Sequence, residues 1–235
     1  MVKFSIFDYV NMYRVRGWRL VFEYFFYNHV FDILNDVDTH SWVPNQFKGD
    51  SIGDGEFYMA TWSRDIIRST KILINEAAID ASKFNFYDLG CGKGKVLLVW
   101  KSFFDAMHFK PRLFGVEYNN ELIKICRKNL GRKSFDDISL IEIDANELKI
   151  GTKNNIFFLY NPFGIETLSR FLDNNIGLVD FVIYFNPVYA DDLVKFGFEV
   201  IFECESYRNS SSFKILKKID ICQPFSSLRI SSTGE

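Results

Sequence analysis

The sequence predicts an α/β fold: a single doubly wound, seven-stranded, mostly parallel sheet with a C-terminal antiparallel hairpin and an N-terminal helical extension. Three observations carry that prediction. From residue 84 onward, short runs dense in Ile, Val, Leu, Phe and Tyr alternate with stretches of helical spacing. Those runs are apolar almost throughout, as strands buried on both faces of a parallel sheet must be. The first of them ends in Asp88-Leu89-Gly90-Cys91-Gly92-Lys93-Gly94, which reads as a strand, a tight glycine turn and a helix start. The last two runs are joined by a polar loop with no helix between them, so they should pair as an antiparallel hairpin.

The elements follow in order. In residues 18–34, WRLVFEYFFYNHVFDIL, apolar side chains at 18, 21, 22, 25, 26, 30, 33 and 34 keep helical spacing. This is an amphipathic helix expected to pack on the domain behind it. Phe and Tyr cover much of its circumference, so a dimer interface, another partner contact or a membrane surface are the alternatives. Arg19, Glu23, His29 and Asp32 leave the run too short to span a bilayer. Asp8, Arg14 and Arg16 fall where a secretory signal needs an apolar stretch. Residues 36–55 turn polar and loop-like, with Pro44, Gly49, Gly53 and Gly55. Helical spacing returns over 62–78, carried by Ile66, Ile67, Leu73 and Ile74, with Ser63 as the N-cap. Strands are then predicted at 84–88, 112–117, 138–143, 155–160 and 179–185, separated by helices at 94–104, 119–130, 164–174 and 189–196. The hairpin strands are 198–204 and 213–219. This divides the chain into a lid or interface segment, 1–57, and a catalytic domain, 58–235.

Composition narrows the function. A chain of 235 residues, 48% hydrophobic and 25% charged, supplies one large domain with a sizeable core. A formal net charge of -2 gives no global field for nucleic acid, and no strong nucleic-acid signature is present. Cys91, Cys126, Cys204 and Cys222 form no CxxC pair and suit a reducing, cytoplasmic setting. His29, His40 and His108 are scattered and share no metal-ligand spacing, so no metal is expected.

The glycines of the turn are spaced GxGxG, with Asp88 just before the first. The dinucleotide fingerprint would need a third glycine at 95, where Lys stands. Lys93 and Lys95 do not make a phosphate loop either, because the GxxxxGK(S/T) spacing is absent. The turn resembles motif I of class I methyltransferases, which use S-adenosylmethionine, and the resemblance runs from residue 58 to about 220. It implies a Rossmann-like fold with the cofactor beyond the carboxyl ends of the strands, over Asp88, Gly90, Cys91, Gly92 and Gly94. Glu117 closes the second strand and suits both ribose hydroxyls, with Tyr118 beside it. In the Asp144-Ala145 pair, the resemblance gives Asp144 the adenine amino group and the Ala145 N–H a ring nitrogen. Tyr58 and Thr61 occupy the segment that covers the methionine end. The plainer alternatives are a solvated strand-end Glu, a surface turn Asp and a core aromatic preceding a helix.

Strand four ends in Tyr160-Asn161-Pro162-Phe163. This turn resembles the (D/N/S)PP(Y/F) motif of amino-group methyltransferases, although one proline is missing. Closer still are uncharacterised bacterial methyltransferases with a YNPF turn, distantly similar to non-SET histone lysine methyltransferases. The resemblance implies that Asn161 and the Pro162 carbonyl accept hydrogen bonds from the target amine, beside the cofactor, while Phe163 stacks on it. Asn-Pro also suits a helix start, with Asn as cap and Pro at N1. The second Asn-Pro, Asn186-Pro187, reads as a strand-end turn. No His stands at a strand end, which favours proximity catalysis on an amine over deprotonation of a hydroxyl. His40 is the base to examine if one is needed. N-methylation of a protein side chain or small molecule is the leading expectation. O-methylation, a nicotinamide-dependent oxidoreductase and a non-catalytic cofactor- or partner-binding domain are the alternatives.

Overall fold

The predicted alternation is realised in the computed structural model, which describes residues 9–10, 13–14, 17–40, 61–205 and 212–219. Seven strands form one sheet: β1 (Asn85–Leu89), β2 (Arg112–Glu117), β3 (Ser139–Glu142), β4 (Asn155–Tyr160), β5 (Phe181–Phe185), β6 (Phe198–Cys204) and β7 (Phe213–Lys218). Their spatial order is β3-β2-β1-β4-β5-β7-β6. The first five strands are parallel, and β7 runs antiparallel to both β5 and β6. The hairpin expectation holds, with β7 inserted beside β5 and β6 left at the edge. The chain builds outward from β1 to β3, then returns to lay β4 on the other side of β1. Strand order therefore reverses between β1 and β4, where such sheets open a crevice beyond their carboxyl ends.

Helices cover both faces. Ahead of the sheet come α1 (Trp18–Tyr24), α2 (Phe31–Asn35) and α3 (Ser63–Glu76). The crossovers are α4 (Lys95–Ala106), α5 (Asn120–Arg132), α6 (Ile165–Asn175) and α7 (Ala190–Lys195). Alternate strand residues feed opposite cores. Phe86 and Phe158 join Ile66, Trp100 and Cys126 on the α3–α4–α5 face. Tyr87 and Phe157 join Leu168, Phe171 and Leu193 on the α6–α7 face. Tyr87 stacks between Phe114 and Phe157, at 4.5 and 4.8 Å between centroids, pinning β2, β1 and β4 together. Ser63 is not the cap expected of it: α3 starts at Ser63, the cap position is Trp62, and no side chain caps the helix.

The N-terminal helix packs by the face opposite to the one predicted. Glu23, Asn28 and Asp32 are buried, whereas Trp18, Phe22, Phe25, Phe26, Ile33 (74%) and Leu34 (76%) are exposed. The cause is the surface beneath it, which offers polar groups. A π-helical turn, Phe25–Val30, separates α1 from α2. There the Lys95 ammonium donates to the Tyr27 carbonyl at 2.7 Å and to Asn28 Oδ1. Asp32 is tied to the turn that follows, accepting from the Thr39 N–H at 2.7 Å and the Thr39 hydroxyl at 2.6 Å. Spacing alone registers which residues share a face; it carries no information on which face finds partners.

Candidate functional site

The site is built at the carboxyl edge around β1. Its glycine turn needs left-handed backbone, with φ of +81° at Gly90, +51° at Gly92 and +83° at Gly94. Space reinforces this. A Cβ on Gly90 would lie 2.6 Å from Pro162 Cβ, and one on Gly94 2.5 Å from Cys126 Sγ. The first turn of α4 thus rests directly on α5, and the glycine turn touches the Asn-Pro turn that follows β4.

Four N–H groups of the glycine turn are already used. Gly90 and Cys91 both donate to the Val116 carbonyl at 2.9 Å, and Gly94 donates to the Cys91 carbonyl at 2.8 Å. Gly92 donates to Glu117 Oε2 at 2.9 Å. These groups make no anion cradle, contrary to what a glycine turn ahead of a helix suggests. The turn instead surrounds negative charge. Asp88 is buried, and its Oδ2 is shut from solvent with no hydrogen-bond partner among the described residues. Burial pushes its carboxyl well above the usual range, and the nearby Glu117 adds to the rise. Burial raises Glu117 as well, against N–H groups of Asn119, Gly92 and Tyr118 that hold it down. Glu117 Oε1 accepts from the Asn119 N–H at 2.9 Å and Oε2 from that of Gly92, and each carboxylate oxygen has two lone pairs for donors.

The neighbouring strand ends converge here. Tyr118 is partly exposed beside Glu117, and burial followed by the charges of Glu117 and Asp144 raises its hydroxyl pKa. Asp144 Oδ1 accepts from the Asn146 N–H at 2.9 Å, fixing the turn after β3, and Ala145 is buried beneath it. Cys91 is buried, its thiol pushed up first by its contact with Cys126 and then by burial. Its side chain faces α5, so its share in the turn is backbone. Thr61 is buried just ahead of α3, and Trp62 stacks on Tyr27 at 6.0 Å. Tyr58 lies outside the described residues.

The Asn-Pro turn is not a helix cap. Asn161 is left-handed, with φ of +43°, and the N-cap of α6 is Gly164. Asn161 Oδ1 is instead bonded by the Tyr184 hydroxyl at 3.1 Å. Phe163 is buried in the α6–α7 core. A ring so placed anchors the turn from below and has little face left for the stacking expected of it. Tyr184 is not among the residues the sequence singles out; the signal that could have found it is a tyrosine within a fully apolar strand, whose buried hydroxyl usually finds a partner.

Both lysines of the turn face the N-terminal segment. Lys93 is fully buried, with Nζ 3.3 Å from Asp38 Oδ1, and Asn129 bonds the Lys93 and Asp38 carbonyls at 3.0 and 2.9 Å. Burial holds the Lys95 pKa down to about 7 against the pull of Asp32. His40 Nδ1 lies 2.5 Å from Asp32 Oδ2 and its ring centroid lies 3.9 Å from that of His29, so it is engaged within this segment. Among the described residues no cluster could hold a metal ion, and no helix is long and apolar enough to cross a membrane.

An edge of this kind suits a ligand that brings positive charge and hydroxyl donors to carboxylates, and it does not suit a diphosphate. No protein-family model and no curated protein matches the chain. Solved structures do share its architecture. It is similar to a protein of Pyrococcus horikoshii provisionally named an RNA methyltransferase, at 17% identity and TM-score 0.55, covering 82% of this chain and 99% of that one. It is also similar to an amino pentose methyltransferase of calicheamicin biosynthesis from Micromonospora echinaspora, solved with S-adenosylmethionine bound. That match has 10% identity and TM-score 0.53, and covers 68% of this chain and 92% of the other. The shared feature is the fold.

Proposed function

We propose that the chain is an S-adenosylmethionine-dependent methyltransferase acting on an amine of a protein side chain or small molecule. The observation that carries the reading is the paired carboxylate edge: Asp88, buried with one oxygen that has no partner among the described residues, beside Glu117 at the end of the next strand. The methionine ammonium and ribose hydroxyls of that cofactor are the donors such an edge lacks. Asp88 and Glu117 would hold them, the glycine turn would admit them closely, and Asp144, Ala145 and Tyr118 would flank the adenine. Thr61 and Tyr58 belong to the segment over the methionine end. The cofactor supplies an electrophilic methyl group on a sulfonium.

The chain's part is alignment and exclusion of water. Pro162 packs close against Gly90, which would hold the acceptor turn beside the cofactor turn. Asn161 Oδ1 keeps a lone pair for an N–H of the acceptor, and the Pro162 carbonyl offers a second acceptor position. Two acceptors on one nitrogen aim its lone pair away from themselves. Residues 17–40 complete the unit by closing over the first turn of α4 through Lys93 and Lys95.

The test is transfer of tritiated methyl from S-adenosylmethionine into a cell extract, fractionated into protein, nucleic acid and small molecules. Label should enter an amine of protein or small molecules. Asn161→Ala should slow transfer by about 2–4 kcal/mol in the transition state while cofactor affinity stays within about twofold. No transfer into any fraction, or a product methylated on oxygen, would overturn the reading.

A further inference from the structure

The two Asn-Pro turns lie side by side. β4 and β5 pair in parallel with Tyr160 opposite Phe185, so Asn161 and Asn186 follow in the same register. Both are left-handed, at φ of +43° and +47°. The second turn carries Tyr189 back over β5, with the Val188 N–H bonded to the Asn186 carbonyl at 2.8 Å. The Tyr189 N–H then points at Tyr184 Oη, 3.4 Å away, and Tyr184 Oη stands 3.1 Å from Asn161 Oδ1.

We propose that Tyr184 is a positioning residue for the acceptor amine: a relay from the Tyr189 N–H through the Tyr184 hydroxyl to Asn161 Oδ1 fixes which end of the Asn161 amide faces the acceptor. This inference rests on the acceptor role given to Asn161 above. A phenol has one proton to donate. Tyr189 approaches the phenol oxygen as a donor, so that proton is free to go to Asn161 Oδ1. Were the amide flipped, its NH2 and the Tyr189 N–H would both donate to the phenol oxygen, leaving its proton without an acceptor. The amide therefore stays with its oxygen beside Tyr184, one lone pair filled and one left for a substrate N–H. Such an oxygen selects a group that donates and rejects a carbonyl or ether in the same place. Tyr184 itself holds its proton, because burial, the largest influence, raises its pKa far above neutrality. It is no base. The second Asn-Pro turn acquires a purpose too, since it presents the N–H that orients the phenol.

Tyr184→Phe removes the hydroxyl and keeps the ring that β5 buries. In ligand-free protein labelled with 15N, the Asn161 side-chain NH2 resonances, assigned by their loss in Asn161→Ala, should shift toward the values of a free amide in Tyr184→Phe. Transfer of tritiated methyl into the accepting extract fraction should fall roughly 3- to 12-fold in kcat, with cofactor affinity unchanged. The fall should vanish when Tyr184→Phe is made in the Asn161→Ala background, since the hydroxyl acts only through that amide. The pH profile should keep its shape. Unchanged amide resonances and an unchanged rate in Tyr184→Phe would overturn the relay while leaving the methyltransferase reading intact. An additive effect in the double variant, or loss of an alkaline limb in the profile, would overturn it as well. If transfer survives Asn161→Ala at full rate, the acceptor reading falls, and the relay's catalytic role falls with it.

Discussion

Asp88→Asn removes one negative charge from beneath the glycine turn and leaves the volume almost unchanged. In the ligand-free chain that charge is a burden: the carboxyl is buried, one oxygen has no partner among the described residues, and Glu117 stands near it. Its raised pKa fixes the sign. The folded chain holds a proton that the unfolded chain releases, so there is no penalty below the ordinary Asp value of about 3.9. The penalty grows as pH climbs from there through the folded pKa. An unsatisfied buried polar group costs about 1–3 kcal/mol, more if charged. At pH 7 the Asn variant should therefore unfold at a higher temperature, by about 2–4 °C for each kcal/mol in a chain this size. The gap should close near pH 4. If Asp88 holds the cofactor as proposed, S-adenosylmethionine should reverse the ranking, because the variant lacks the charge offered to the ligand. Its affinity should fall by about 1.5–3 kcal/mol, roughly 10- to 150-fold. Thermal unfolding from pH 4 to 8, with calorimetric titration of the cofactor, reads both effects. A ligand-free variant less stable than its parent at pH 7 would refute the unpaired-charge argument. Undiminished affinity would refute the cofactor assignment.

Two further perturbations probe the frame of the site. Gly90→Ala places a Cβ 2.6 Å from Pro162 Cβ at a backbone φ of +81°, so it should push the Asn161-Pro162 turn aside. We expect a loss of about 1–3 kcal/mol in stability and a larger loss in methyl transfer; a variant active at the parent rate would show that the two turns need not touch. Lys95→Met leaves the Tyr27 carbonyl and Asn28 Oδ1 without their donor, so proteolysis ahead of residue 40 should speed up. Burial holds the Lys95 pKa down to about 7, so its folded form gains stability as pH rises toward the unfolded value of about 10.4 and loses it as pH falls to 7. Denaturant midpoints of the parent should thus rise relative to Lys95→Met between pH 7 and 10, and parallel profiles would contradict the depressed pKa.

What the sequence by itself determined is local. Apolar runs with glycine and asparagine at their ends specify strands and where they stop, so all seven strands and their hairpin were legible to within two residues at either end. Glycines spaced at 90, 92 and 94 announce a backbone that only glycine adopts comfortably, and the structure has all three left-handed. The placement of Asp88, Glu117 and Asp144 at one edge was legible because the strand ends of such a sheet meet there whatever the helices do. Other features belonged to the tertiary structure. Lys95 finds Asn28, Lys93 finds Asp38, and Tyr184 finds Asn161 only after the sheet register and the docking of the first helix are set. The helix at 18–34 is the clearest case, since its pattern is amphipathic either way round. The buried Lys95 amine on α4, which bonds Tyr27 and Asn28, favours the polar face turning inward, because a buried polar group without partners costs more than an aromatic face left in water.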